Sequence, residues 1–360
     1  MTTNRKIYKN DLHNGSYSRG TMGKSHESMN VSMSVLESLR YPTGLFAAAA
    51  KTTSTGYNKV WLRDNVYASL GFEATGRTED VIKTYRALLD IFKKHQDKID
   101  WMIREPLPKH GFRYIHARYD PHSGAEFHEE WGNKQNDAVG AILFKIGELE
   151  RNGVHVLRGA SDILIVQKLV DYLAAIEYWC DKDNGMWEEN EEVHASSVGA
   201  CVAGLLAVAP IVDVPKWLIA KGFAALDKLL PCESATKETD LALLSLIYPY
   251  DIVTPEQRDA ILKNIEQRLL REKGVIRYEG DQYYNHGRGE PAWCMGLPWL
   301  AIIYRKMNVP KKYSFFMRKT LDAMNEKGEL PELYFADSEE YNANTPLGWA
   351  QSLFVVAAVQ

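Results

Sequence analysis

The residues best suited to chemistry in this chain sit in short aromatic and acidic stretches, of which the densest is "NGMWEENEE" at 184–192. An Asn-Gly turn signal leads into Trp187, and Glu188, Glu189, Glu191 and Glu192 follow. An isolated charge run of this kind is usually a solvated acidic loop. The adjoining tryptophan allows a sharper reading. Hydrolysis of a glycosidic bond needs one carboxylic acid to protonate the leaving oxygen and a second carboxylate to activate water or attack carbon. The acid must keep its proton near neutral pH, which an apolar or crowded anionic setting favours. "MWEENEE" offers Glu188 both. A partner carboxylate has to come from elsewhere, and "GELPELY" at 328–334 supplies Glu329 and Glu332. Sugar rings present C–H faces to tryptophan and hydroxyls to Asp, Arg and Gln, so a carbohydrate suits this mixture.

Groups so far apart in sequence need a scaffold to bring them together. Strand patterns are scarce, while apolar residues recur at three- and four-residue spacing. That spacing predicts twelve helices, over 26–40, 64–75, 79–104, 136–151, 160–181, 195–209, 214–230, 237–248, 255–271, 291–306, 311–327 and 346–358. Ser161-Asp162 opens the fifth, and "TPEQ" at 254–257 places Thr and then Pro at the ninth. No Gly/Ser-rich linker or composition break interrupts the series. The expectation is an all-α (α/α)6 barrel in one domain over 26–360, preceded by a polar arm at 1–25. In such a ring of hairpins, connections after odd-numbered helices share one face. "YNKVWLRD" (57–64), "RYIHARYDPHSGAEFHEEWGNKQND" (113–137), "DNGMWEENEEVH" (183–194), "GVIRYEGDQYYNHGRGEP" (274–291) and "KGELPELYFADSEEYNANTP" (327–346) all fall there. The seventh connection, around "CESATK" (232–237), reads as plain, and the even connections are mostly short. Functional residues concentrate on loops held by a rigid scaffold, which points to the odd face.

Composition narrows the classes. The 360 residues are 45% hydrophobic and 25% charged, an ordinary globular balance. A net charge of -4 gives no general drive towards nucleic acid or anionic membrane. The longest apolar runs, such as "LFVVAAV" at 353–359, are too short to span a bilayer. The first twenty residues carry no apolar core of a signal peptide. Cys180, Cys201, Cys232 and Cys294 form no CxxC pair, so reduced, mostly buried thiols and a cytoplasmic location are expected. No P-loop, HExxH or GxGxxG is present, so neither a metal nor a cofactor is expected. The ten histidines read as neutral, satisfied side chains without a catalytic role.

Six pieces, taken in order, resemble glycoside hydrolase family 15, the glucoamylases and related α-glucosidases. They are "WLRDNVY" (61–67), "EEWGNKQNDA" (129–138), "GMWEE" (185–189), "HASSVGACVAGL" (194–205), "RYEGDQYY" (277–284) and "LPELYF" with "PLGWA" (330–335 and 346–350). The likeness covers about residues 30–358. It extends to the glucoamylase-like part of the phosphorylase kinase alpha and beta regulatory subunits, in wording such as "WLRDNVY" and "HASSVGA". "HASSVGACVAGL" itself is small and apolar and reads as close packing of an inner helix.

The resemblance implies an inverting, exo-acting α-glucosidase. Glu188 matches the family's general acid and Glu332 its general base, although the family typically carries Gln where this chain has Leu333. Arg63 and Asp64 match the pair that grips the terminal sugar; a plain salt bridge at a helix start is the alternative. Trp131 and Gln135 match a stacking tryptophan and a hydrogen-bonding glutamine. Glu189 and Arg277 match groups of the next sugar subsite. Trp61, Trp187 and Trp349 complete the expected sugar contacts. The expected partner is an oligosaccharide, a short soluble one because no starch-binding module is visible. A trehalase or α-1,6-glucosidase within the family, and a non-catalytic carbohydrate-sensing protein, are the alternatives.

Overall fold

The computed structural model describes residues 19–106, 113–129 and 131–359. Helices dominate it in six hairpins. The outer members are α1 (Arg19–Leu39), α3 (Thr78–Lys94) with α4 (Gln96–Arg104), α6 (Ala160–Ala175), α8 (Lys216–Leu229), α9 (Pro255–Asn264) and α11 (Pro310–Asp322). The inner members are α2 (Leu62–Ala74), α5 (Asn136–Arg151), α7 (Ala195–Val208), a 3-10 turn at Leu241–Leu246, α10 (Gly296–Lys306) and α12 (Gly348–Ala358). Packing runs from α2 to α5, α7, the 3-10 turn, α10 and α12, and α12 returns to α2, so the inner ring closes. The burial of each element follows from its sequence. α3 alternates Val81, Tyr85, Leu88 and Phe92 with charged residues and buries one face. α7, "ASSVGACVAGLLAV", is apolar all round and buried almost throughout. Its small residues let backbones touch. A Cβ on Gly140 of α5 would lie 2.4 Å from the Ala200 carbonyl carbon, and one on Gly204 would lie 2.5 Å from the Gly140 oxygen.

Several boundaries depart from the sequence expectation. The helix expected over 79–104 breaks at His95, which closes α3 and opens α4 while its ring bonds the Gly124 carbonyl. The one expected over 160–181 stops at Ala175. The one expected over 237–248 contracts to the 3-10 turn, capped by Asp240, whose carboxylate accepts from Ala242 N. The Ser161-Asp162 start has no side-chain cap; Asp162 instead accepts from Arg158. At α9 the capping box forms, with Thr254 accepting from Gln257 N. The first helix begins at Arg19 rather than 26, so the expected arm at 1–25 overlaps α1, and residues 1–18 lie outside the described residues.

The connections from outer to inner helices all lie on one face, and two short ladders tie them together. β1 (Val60–Trp61) pairs antiparallel with β2 (Arg118–Tyr119), placing Trp61 opposite Arg118. β3 (Ala292–Trp293) pairs with β4 (Leu333–Tyr334), placing Trp293 opposite Leu333. No helix among the described residues is long and apolar enough to cross a membrane.

Candidate active site

On that face opens a cavity of about 370 Å³ whose walls include every expected catalytic and sugar-binding residue except Gln135 and the rival carboxylate Glu329. Trp61 reaches it from β1, and Arg63 and Asp64 from the first turn of α2. Trp131 comes from the connection before α5, and Trp187, Glu188 and Glu189 from the one before α7. Arg277, Glu332 and Trp349 complete the wall. Gln135 stands behind it, at the N-cap of α5.

Glu188 occupies a left-handed backbone conformation (φ 65°), uncommon for a residue with a Cβ and often found at functional sites. Its position is set by the neighbouring connection. Lys134 and Asn184 exchange hydrogen bonds, and Lys134 Nζ reaches Asp181 at 2.6 Å. Gly132 packs so closely that a Cβ there would sit 2.4 Å from the Glu188 carbonyl. The Glu188 carboxylate is then held from both sides. Trp61 Nε1 donates to Oε1 at 2.6 Å, Gln135 Nε2 to the same oxygen at 3.0 Å, and Trp131 Nε1 to Oε2 at 2.5 Å. Arg63 Nη2 stands 3.7 Å from Oε1. Gln135 thus acts as a bridge, since its own Oε1 accepts from Arg63 Nη1 at 2.8 Å. Arg63 is anchored from beneath by Asp137 at 3.0 Å. Burial pulls its guanidinium down, and Asp137, Asp64 and Glu188 more than offset this.

Glu332, only 1% exposed, enters from another connection. Asn344 Nδ2 donates to its Oε2 at 2.8 Å, and Asn342 donates to the same oxygen. Burial pushes this carboxyl up, against the Asn344, Asn342 and Tyr57 hydrogen bonds and the Arg277 charge. Asp64 is pushed up to about 7, by burial first and by Glu188 and Glu332 after it, with Arg63 opposing. Glu329, the rival carboxylate in "GELPELY", accepts from Asn325 and does not line the cavity.

Glu189 turns away from Glu188 into an ion network. Arg277 donates to its Oε1 at 2.8 Å, and Lys237 and Tyr278 both donate to Oε2 at 2.7 Å. Burial would raise this carboxyl, but Arg277 and Lys237 outweigh it and hold it below the usual range. Arg277 is pinned by Asp281 at 2.7 Å and ringed by Trp293, Tyr283 and Trp187 at 4.8, 5.0 and 5.4 Å. Trp187 donates to Asp240 at 2.7 Å, whereas Trp349 stacks on Tyr67 at 4.1 Å.

Lys237 and Glu233 belong to the connection that reads as plain in sequence, yet Lys237 bonds Glu189 and Glu233 bonds the start of α7. Glu233 is buried, accepts from Ser196 N at 3.1 Å and faces His194 at 3.5 Å. His194 departs from an ordinary histidine: burial lowers it, but Glu233 and Asp183 carry it up to about 9. Tyr57, Tyr283 and Trp293 also line the cavity without having been singled out. Tyr283 and Trp293 follow Arg277 in the same connection, and that proximity was the available signal. Among the described residues no group of three His, Cys, Asp or Glu side chains is placed to hold a metal.

Comparison with known proteins agrees with this architecture. The family model described as "Glycosyl hydrolases family 15" matches residues 25–359. The skeletal muscle isoform of the phosphorylase b kinase regulatory subunit alpha from Oryctolagus cuniculus is 26% identical over 88% of this chain. The chain spans about a third of that relative's length, 31%. Among solved structures, a glycosidase variant in complex with glucose superposes with a TM-score of 0.81 at 20% identity, covering 95% of this chain and 98% of its own. The glucoamylase of Saccharomycopsis fibuligera superposes at 0.68 and 14% identity, covering 98% and 96%. At such identities the superpositions establish a shared fold, the (α/α)6 barrel.

Proposed function

Because the chain belongs to glycosyl hydrolases family 15, we propose that it is an inverting, exo-acting α-glucosidase of short oligosaccharides, with Glu188 as general acid and Glu332 as general base. The observation that carries this reading is the pair of carboxylates delivered by different connections into one aromatic-walled cavity. Oε1 of Glu188 is occupied by Trp61 and Gln135, so Oε2, touched only by the half-open Trp131, is the oxygen that would exchange its indole partner for the glycosidic oxygen. Trp131 is 46% exposed and fits a stacking surface at the entrance. Oε2 of Glu332 is fixed by two asparagines, so Oε1, with Tyr57 beside the carboxyl, is the oxygen that would take the proton of the attacking water. Inversion requires the two carboxyl groups to be roughly 6.5–9.5 Å apart so that this water fits. Arg63 and Asp64 form the floor, where they would take the hydroxyls of a chain end. Binding energy there favours the distorted ring of the transition state.

The similarity to a kinase regulatory subunit favours a second reading, a carbohydrate sensor without turnover. One experiment separates the two. The purified protein and Glu188→Gln are incubated with maltose, isomaltose, trehalose and maltotriose, and the anomer of released glucose is followed by NMR. The expected result is β-glucose from the parent on one linkage, with the variant slower by about 10²–10⁴-fold. Absence of release from all four sugars overturns the hydrolase reading and moves the sensor reading to first place, to be tested by calorimetric binding of the same sugars.

A further inference from the structure

We propose that Arg118 is a positioning residue for the proton donor, acting through the two tryptophans that hold Glu188. The ladder places Arg118 directly opposite Trp61. Its guanidinium carbon lies 4.5 Å from the centre of the Trp131 ring and 5.7 Å from that of Trp61. These are the two rings whose N–H groups grip Oε1 and Oε2 of Glu188. A planar cation against both indole faces fixes their orientation, and cation–π attraction strengthens when the cation is desolvated. Arg118 is 3% exposed, is tethered through Nε to Asn133 Oδ1 at 3.3 Å, and leaves its Nη2 without a hydrogen-bond partner. It does not line the cavity, so it acts through the rings and through its charge rather than on the sugar.

The charge works in the same direction as the stacking. When Glu188 gives up its proton it becomes an anion, and a fixed buried cation stabilises the charge as it develops. Burial lowers the Arg118 guanidinium, while Glu188 and then Glu129 pull it back up, so the two charges are coupled across the rings. The other groups facing Glu188 are Arg63, Asp64 and Tyr57. Facing Arg118 is Glu129, at 3.6 Å, itself held by Lys59 at 3.0 Å.

The proposal rests on Glu188 being the acid, and the test exploits that. Maltose needs its leaving oxygen protonated, whereas α-glucosyl fluoride needs far less help. The kcat and KM of parent, Arg118→Met and Arg118→Lys are measured on both substrates across pH, with thermal unfolding as a folding check. In Arg118→Met the kcat on maltose falls about 10–100-fold while that on the fluoride changes little. The alkaline limb of the maltose profile moves to higher pH, because losing a nearby cation favours the protonated carboxyl. Arg118→Lys returns that limb towards the parent and recovers part of kcat. Equal losses on both substrates with an unmoved limb, or no loss at all, overturn the proposal and leave the hydrolase reading standing. If Arg118→Met does not fold, Arg118→Lys decides alone: a larger loss on maltose than on the fluoride supports the proposal, and equal values overturn it. A parent that cleaves neither substrate is a failure of the hydrolase reading, and the proposal falls with it.

Discussion

Lys237 turns Glu189 from a loop carboxylate into one corner of a buried network with Arg277 and Asp281. If Glu189 and Arg277 serve the second sugar, Lys237 governs where that sugar is held. Lys237→Met removes one charge-assisted hydrogen bond but leaves Arg277 and Tyr278 in place. The expected cost is about 1.5–3 kcal/mol of stability, read as a lower urea midpoint. KM for maltose should rise several-fold with kcat less affected. A KM equal to the parent's would mean that Glu189 is placed without Lys237. At this scale the sequence revealed what adjacency reveals. Trp187-Glu188-Glu189 and Arg63-Asp64 are neighbours of telling type, and all five line the cavity. Lys237 has its partner 48 positions away and stands among Ser, Ala and Thr, where nothing local marks it. Asn342 and Asn344 reach Glu332 only because the chain folds back through the bridge of Tyr334 with Tyr341. A turn of that kind cannot be read from residue types alone.

Inner helices meet through glycine, and this determines how the loops above them sit. α5 carries Gln135 and Asp137 at its start, and α7 follows directly on His194. Gly140 therefore stands one turn below the groups that hold Arg63. Gly140→Ala puts a methyl 2.4 Å from the Ala200 and Cys201 backbone, where no flexible side-chain tip can move aside. The helices must separate, at a cost of about 1–3 kcal/mol for overpacking. The accompanying shift of Gln135 and Asp137 should lower kcat/KM by more than the lost stability explains. Urea unfolding together with maltose kinetics checks both parts, and an unchanged midpoint would show that the helices part freely. Periodicity revealed the helices here but not all their limits. "LALLSL" has helical composition, yet Asp240 is drawn to Trp187 and the Ala242 amide, and the segment tightens to 3-10. The strands of two residues lie below any alternation pattern; tertiary pairing of the connections creates them.

For the whole molecule, the series of twelve helices and the alternation of long and short connections were enough to predict a ring with its long polar connections on one face, because a hairpin ring leaves no other place for them. They said nothing of the charge stored under that face, since burial depends on what covers a residue and not on the residue itself. His194, Asp183, Glu233 and Asp240 are all buried there. This predicts how stability depends on pH. His194 stands at about 9 in the fold, above its ordinary value near 6.5, with burial opposing and Glu233 and Asp183 prevailing. A group raised in the fold binds its proton more tightly there, so its stabilisation is complete below pH 6.5 and is lost as pH climbs through 9. The size is about 3 kcal/mol. Asp183 and Asp240, pushed up to about 7 chiefly by burial, act with the same sign, because they too hold protons more tightly when folded. Urea unfolding of the parent should therefore show stability falling steadily from pH 5 to pH 9.5. His194→Gln should be less stable than the parent at pH 6, and the gap should close by pH 10, where the parent's imidazole has lost its charge. A gap independent of pH would mean that His194 is neutral in the fold, and that Glu233 and Asp183 find their compensating charge in Lys237 instead.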